Sequence, residues 1–543
     1  MPCVGQVGLK RIWPKLPFLF RAVTTFQPNK YTHIISLQVT SKLQPIFISR
    51  PKIKGFVAAR RSAFGQFKLH RLLRALMAGR RVNLDSKFGI KKCVERYNHG
   101  DDLISRLPDD ILLVILSSLP LKEAGRTSVL SSRWRNLWSY TSYLYFDDHS
   151  SMEKIIQVPD SLSVEREKYV RWVDSVLQSH RGFSLKELRI CFSLVQSPSI
   201  TKWIEFAFER HIEKLELNLS DGDYVHDPDE TYVFPQELLW ENNSSYNPYK
   251  SSRLFNYKTI KILSFSCINV SREAIEFFFR YCPLLEQLVV HFSVVLTSLE
   301  VCGPSLVLKH LEICKCSYLE SLRISAPNLS TLILGKIEGL LLEDVPVLRD
   351  VYVNFNDSRP DSFYVQKLVP TLLCCLSHLE ILTFNIYLRN EVLSTLNFPV
   401  MPKLRKLVFI KGLSGVDSSL LELTHFIKAS PNLQEFELKQ SWFEAERSDR
   451  EIQKGVKQFP LHQHLNVFRF SGYYGCPSDV ELVNYLLESC VALREIIVDT
   501  QAPIHLAYEA VDPEELKLAE IAKVYAKQQL EPLVPKHIRL FIC

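Results

Sequence analysis

Residues able to do chemistry are thinly spread along this chain of 543 residues, and their spacings argue against most reactions. His462 and His464 stand two residues apart with neither a thiol nor a carboxylate beside them, which is short of a zinc set. Asp223, Asp227, Asp229 and Glu230 could gather around calcium, but the glycine-centred loop of an EF-hand is missing, so they read as a solvated acidic loop. The 13 cysteines are scattered, with Cys314-Lys315-Cys316 and Cys374-Cys375 the only close pairs and no CxxC. They read as small buried apolar residues in a reducing compartment. A GxxxxGK[ST] cradle, a GxGxxG turn into a helix and an HExxH helix are all absent. No Ser or Cys stands in a recognisable nucleophile context. The expectation is a chain with no catalytic residue, no metal and no cofactor, which works by binding.

Binding chemistry concentrates in 101–148. Pro108 suits the start of a helix, and Asp109 and Asp110 place negative charge in its first turn, where the helix dipole favours it. Ile111, Leu112, Ile115, Leu116 and Leu119 recur at helical spacing. Pro120 restarts the chain as a second short helix, and a third carries Leu130, Trp134, Leu137 and Trp138 on one face. Three helices this short cannot hide that much apolar surface among themselves, so part of it must pack on something else.

The segment resembles an F-box. The resemblance is carried by Leu107-Pro108, the run Ile111 to Pro120, Ser128-Val129-Leu130-Ser131 and Arg133-Trp134-Arg135-Asn136-Leu137-Trp138. It implies docking to the Skp-type adaptor of a cullin–RING ubiquitin ligase. Leu107, Pro108, Ile111, Ile115, Val129 and Trp134 would contact that adaptor or hold the surface that does.

The charge is unevenly placed. Residues 1–100 carry 20 Lys and Arg against Asp85 and Glu95, a balance of +18 within the +7 of the whole chain, which leaves −11 on the rest. This basic leader fits three readings: a disordered extension, an organellar transit peptide, or a nuclear-import or nucleic-acid patch at Arg60-Arg61, Arg80-Arg81 and Lys91-Lys92. Met77 is an alternative start. The first reading is preferred, so nucleic acid is not an expected partner. No apolar run approaches the roughly 18 residues of a membrane span, so no membrane is expected either. The expected location is the nucleus or cytoplasm.

Beyond a polar linker at 149–164, helix alternates with strand. The pattern L-x-x-Φ-x-Φ recurs from Ile260-Leu263-Phe265 to Leu493-Ile496-Val498, mostly at the spacing of leucine-rich repeats. Each unit buries its leucines only by stacking on its neighbours, so a curved solenoid with strands on its concave side is expected. The intervals from 308 to 319 and 319 to 329 are too short for a helix and imply strands joined by bare turns. Cys282-Pro283, Ala326-Pro327 and Ser430-Pro431 mark the turns that reset the chain. An acidic insertion at 221–253 interrupts the series.

At the C-terminal end, His464 to Tyr473, Val480 to Cys490 and Leu493 to Val498 read as strand, helix and strand and resemble an FBD module, which follows leucine-rich repeats in many plant F-box proteins. The expected fold class is α/β: a three-helix F-box (101–148), a repeat solenoid (165–459) and an FBD strand-helix-strand module (460–543). The expected function is that of a substrate receptor: the F-box holds the ligase and the repeats hold a client protein. The alternative is a repeat scaffold with no ubiquitin output. In L-x-x-Φ-x-Φ the residue between the last two Φ points outward. That row runs from Arg189 to Ile497, and its stretch Arg323, Ile333 and Tyr352 is the expected client surface.

Overall fold

A computed structural model describes residues 107–147, 161–194, 197–220, 231–240, 255–335, 338–354, 370–386, 399–412, 419–441, 452, 461–501 and 513–543. The leader, Met77, the linker to residue 160 and the four acidic residues of the insertion lie outside the described residues. The described residues divide into two compact units, one up to Thr141 and one from Ser142 onward.

In the first unit, α1 (Asp109–Ser117) and α2 (Leu121–Arg126) are each preceded by a proline, and a 3-10 helix follows at Trp134–Tyr140. Pro108 sits one position before the helix rather than in it, and its carbonyl accepts from Leu112 N at 3.1 Å. The hydroxyls of Ser117 and Ser118 turn back onto the carbonyls of Leu113 and Val114, where α1 stops. The third helix expected from Leu130 onward is this tighter 3-10 segment.

In the second unit the strands come in chain order, all named here: β1 (Tyr143–Asp147), β2 (Glu187–Cys191), β3 (Lys214–Asn218), β4 (Tyr232–Val233), β5 (Ile262–Ser266), β6 (Ile268–Asn269), β7 (Gln287–His291), β8 (Ser298–Cys302), β9 (His310–Cys314), β10 (Ser321–Ser325), β11 (Thr331–Leu334), β12 (Leu340–Glu343), β13 (Asp350–Asn354), β14 (Ile381–Ile386), β15 (Lys406–Lys411), β16 (Glu435–Gln440), β17 (Val467–Ser471), β18 (Glu495–Asp499) and β19 (Arg539–Ile542). Among the described residues, 14 of them make one parallel sheet in the order β1-β2-β3-β5-β7-β9-β11-β13-β14-β15-β16-β17-β18-β19. A second, three-stranded parallel sheet runs β12-β10-β8, and β4 pairs with β6.

Helices lie between many neighbours in the long sheet: α3 (Leu162–Ser179), α4 (Pro198–Glu209), α5 (Arg272–Tyr281), α6 (Thr424–Lys428), α7 (Pro477–Ser489) and α8 (Pro513–Leu530). The Ser197 and Ser271 hydroxyls cap α4 and α5, accepting from Ser199 N and Ala274 N. Their apolar faces, including Trp203, Ile204, Phe208, Ile275 and Phe278, are buried with the leucines of the strands.

The turn into each strand repeats. The residue before a proline accepts from the amide of a leucine three positions on: Leu285 N donates to Cys282 O, Leu329 N to Ala326 O, Leu348 N to Val345 O, Leu404 N to Met401 O and Leu433 N to Ser430 O. Proline suits the second position of such a turn, because its fixed φ is the one required there. Asn328 and Asn432 then donate to carbonyls of the preceding repeat, Leu306 O and Pro402 O, both at 2.8 Å. The residue just past the strand turns left-handed at Cys267, Phe292, Lys315 and Gly472, and only the last is a glycine. The amides of Cys267, Phe292 and Gly472 donate to the last residue of the next strand, so the bend leaves those backbone groups paired.

Two expectations need correcting. Residues 143–147, assigned to the F-box segment, form the first strand of the long sheet, because Leu144 and Phe146 alternate inward. The short gaps near 319 hold bare turns with no helix, as expected, but the strands they join belong to different sheets. Between β7 and β13 successive strands alternate between the long sheet and the three-stranded sheet, joined by five to seven residues. Arg323 therefore stands on β10, in register with Glu300 and Leu341, and not in the row of Ile333 and Tyr352. The strand-helix-strand at β17, α7 and β18 forms as expected, and its strands continue the long sheet.

Candidate functional site

In the first unit, Leu112, Leu116, Ala124, Trp134 and Leu137 form a closed apolar cluster, with Leu107, Ile115, Leu119 and Trp138 packed at its margin. Arg133 ties the start of α1 to the 3-10 helix. It donates to Asp109 Oδ1 from Nε at 2.9 Å and from Nη2 at 2.6 Å, and to the Leu107 carbonyl. Val114 (64% exposed), Val129 (68%), Leu130 and Tyr140 are left outside. Of the six residues expected at a docking surface, Pro108 and Val129 are exposed, Leu107, Ile111 and Ile115 are half-buried, and Trp134 is core. Trp134 thus holds the unit together. Sequence reasoning missed Val114 and Tyr140, although Val114 lies on the α1 face opposite Leu112 and Leu116.

In the second unit the outward face of the long sheet is a continuous row. Tyr145, Arg189, Glu216, Ser264, Val289 and Glu312 lie in register, followed by Ile333, Tyr352, Thr383, Val408, Glu437, Arg469, Ile497 and Phe541. Its two ends are charged networks. Near the start, Arg189 meets Asp147 at 2.9 Å, while Lys214 meets Glu187 at 2.6 Å and Glu216 at 3.0 Å. Burial works against the Lys214 ammonium, but Glu216 and Glu187 outweigh it and raise its pKa. Towards the end, Lys406 lies between Glu435 (2.7 Å) and Glu437 (2.8 Å), Lys439 reaches Glu437, and Arg469 reaches Glu435.

Between the networks the row changes character. Ile333 and Tyr352 are direct neighbours on β11 and β13, both half-buried, and Asn385 donates to the Tyr352 hydroxyl at 3.0 Å. Beside them His291, His310, Glu312 and Cys314 meet on β7 and β9. Sequence reasoning missed this cluster by scanning for contiguous motifs. The signal was an alternation, His310-x-Glu312-x-Cys314, on a strand whose neighbour ends in His291. His462 and His464 instead lie against backbone carbonyls, of Ser430 at 2.9 Å and Pro431 at 3.0 Å. Arg323 pairs with Glu343 at 2.9 Å, both about half exposed. Among the described residues no helix is long and apolar enough to cross a membrane.

A family model described as At1g61320/AtMIF1, LRR domain, matches residues 176–542, and an F-box domain model matches 104–144. The F-box/LRR-repeat protein At3g03360 of Arabidopsis thaliana is 30% identical over 335 residues, covering 56% of this chain and 63% of that protein. The F-box/FBD/LRR-repeat protein At1g13570 of the same plant is 31% identical over 255 residues, 47% of this chain and 54% of its own length. The FBD-associated F-box protein At3g52670, also from Arabidopsis, is 30% identical over 256 residues, 44% and 55% of the two chains. The chain thus spans between about half and two thirds of the length of these three relatives. None of these matches indicates an enzyme family.

Proposed function

We propose a substrate-receptor role for this chain, which belongs to the family of the At1g61320/AtMIF1 LRR domain and carries an F-box ahead of it. The F-box docks a Skp-type adaptor and through it a cullin–RING ligase, while the repeats hold a client protein for ubiquitination. The chain supplies proximity, and transfer chemistry stays with the ligase subunits. The nucleus and cytoplasm are where such a receptor works.

The observation that carries this reading is the division of labour in the first unit. Trp134 and its neighbours fill the core, and Val114, Val129, Leu130 and Tyr140 remain as apolar surface with no role in that core. Interface anchors of this kind are worth about 2 kcal/mol or more each. Replacing Leu107 and Pro108 by Ala, or Val129 by Asp, weakens co-precipitation of the adaptor at least about tenfold with the repeats still folded. Undiminished capture by both variants sinks the reading. Adaptor capture with no change in the turnover of any bound protein favours the scaffold alternative.

For the client, the middle of the outward row is the better surface, because Ile333 and Tyr352 lie side by side there as apolar and aromatic side chains, whereas charged networks lie on either side. Ile333→Glu with Tyr352→Ala abolishes client recovery, while Arg323→Glu, on the other sheet, leaves it intact. The opposite pattern would place recognition on the three-stranded sheet.

A further inference from the structure

His291 ends β7 and Cys314 ends β9, and the two are directly paired in register. Glu312 and His310 precede Cys314 by two and four residues on the same strand, so alternation puts all of them on the outward face. The His291 Nε2 lies 2.9 Å from Glu312 Oε1, and the His310 Nε2 lies 3.3 Å from Glu312 Oε2. The ligand-type atoms of His291, Glu312 and Cys314 all fall within 4.8 Å of one another.

The site is well shielded. Cys314 is buried, and the side chains of His291, His310 and Glu312 are only 16%, 12% and 17% exposed. Glu312 is also unlike the other acids of its row. Glu216 and Glu437 meet lysines, whereas Glu312 meets two imidazoles. A shielded carboxylate, two imidazoles and a thiol make a set of nitrogen, sulfur and oxygen donors.

That set selects among metals. Calcium and magnesium take several oxygen ligands, and one carboxylate does not supply them. Zinc takes imidazole, thiolate and carboxylate at about 2.0 to 2.3 Å in a tetrahedron, which places donors roughly 3.3 to 3.8 Å apart. The donor atoms of His291, Glu312 and Cys314 lie within 4.8 Å of one another, roughly 1 Å beyond that spacing. We infer that His291, Glu312 and Cys314 form a zinc site on the outward face of β7 and β9, with His310 as a positioning residue that holds Glu312 by its second oxygen. The thiol loses its proton to solvent as the sulfur–zinc bond forms, so binding releases one proton. Three protein ligands leave the fourth position to water or to a side chain of a bound protein, as in zinc sites that stay open.

Cobalt(II) is the test probe, because it takes the same geometry and a thiolate ligand gives it a near-ultraviolet charge-transfer band. The full reduced chain takes up one cobalt ion with that band, and zinc displaces it. Cys314→Ser removes the band. His291→Gln and Glu312→Gln weaken cobalt at least about tenfold, and His310→Ala weakens it about 10- to 100-fold while keeping the band. Circular dichroism checks the fold of every variant, and a chain with Cys374 and Cys375 both changed to Ser keeps full binding. No stoichiometric cobalt, a band that survives Cys314→Ser, or a band lost with Cys374 and Cys375 overturns the site. If Cys314→Ser does not fold, His291→Gln decides: unchanged cobalt affinity there overturns it as well.

Discussion

The repeats on either side of residues 298–354 and the repeats within that stretch solve the same problem differently. Outside it, a helix returns the chain from one strand of the long sheet to the next, as α4 does before β3 and α5 before β7. Inside it, a strand of the three-stranded sheet takes the helix's place at β8, β10 and β12. The filling differs to match. Around α5 the core is aromatic: Phe278 lies 5.8 Å from Phe234 and 6.3 Å from Phe265, centroid to centroid. Residues 298–354 contain no Phe or Trp, and Leu299, Val301, Leu322, Ile324, Leu340 and Leu342 fill the coil instead. A rounded helix above a sheet leaves gaps that rings can fill. Two sheets with pleated faces interlock on aliphatic side chains. What backs a strand is thus set by the length of chain available and by the size of the side chains it carries.

Three substitutions can break that comparison. The largest effect is expected from Phe278→Ala, which empties the middle of the aromatic layer at a fully buried position. It costs about 4 kcal/mol, read as local opening in amide exchange of β5 and β7, with β10 unaffected because repeats couple mainly to neighbours. Gly339→Ala comes next. Gly339 has φ +64°, and an added Cβ would meet the Glu320 carbonyl oxygen at 1.8 Å, so the backbone itself must shift. About 3 kcal/mol is expected at β10 and β12, and a loss under about 1 would mean that the edge of the three-stranded sheet yields freely. Leu322→Phe asks whether the aliphatic coil is truly full. Overpacking costs about 2 kcal/mol there, and a neutral result would show that the coil has room for a ring.

Much of the second unit was legible because its strands obey a period of two. Leu263 and Phe265, Leu407 and Phe409, and Phe468 and Phe470 all point inward as the pattern implies, and the outward row follows from them. The prolines at 283, 327 and 431 were readable as turns because only one φ is open to them. Other features depended on partners the pattern cannot name. Ser298-Leu299-Glu300-Val301 alternates like any strand, but nothing local says which sheet it joins. Arg323 has the right offset from its leucines and still stands on the other sheet, since register belongs to the partner strand. Trp134 sits at helical spacing with Leu137 and Trp138, which makes it equally suited to core and to surface, and the structure buries it. The His291 cluster was hidden because His291 comes from the strand before the one that carries His310, Glu312 and Cys314.

The smallest expected effect concerns the outward face, where the helix-backed ends are ion-paired and the strand-backed sheet carries the half-exposed Arg323–Glu343 pair. The side chain of Glu437 is 14% exposed and lies 2.8 Å from Lys406 and 3.2 Å from Lys439. Burial pushes its carboxyl pKa up, but Lys439 and Lys406 outweigh that and hold it below the usual carboxylate range. A carboxylate with a depressed folded pKa contributes stability above its unfolded pKa, near 4.3, and loses it as pH falls through the folded value. Glu437→Gln therefore costs about 1 kcal/mol at pH 7. The cost shrinks as pH is lowered below about 5 and disappears once the wild-type carboxylate is protonated. Glu343→Gln serves as the contrast, because an exposed pair contributes little and is screened by salt, so its loss is expected to be the smaller of the two. Paired urea melts from pH 7 down to pH 3 separate the two. A Glu437→Gln deficit that stays constant across that range would mean that shape and packing, rather than charge, hold the end of the row.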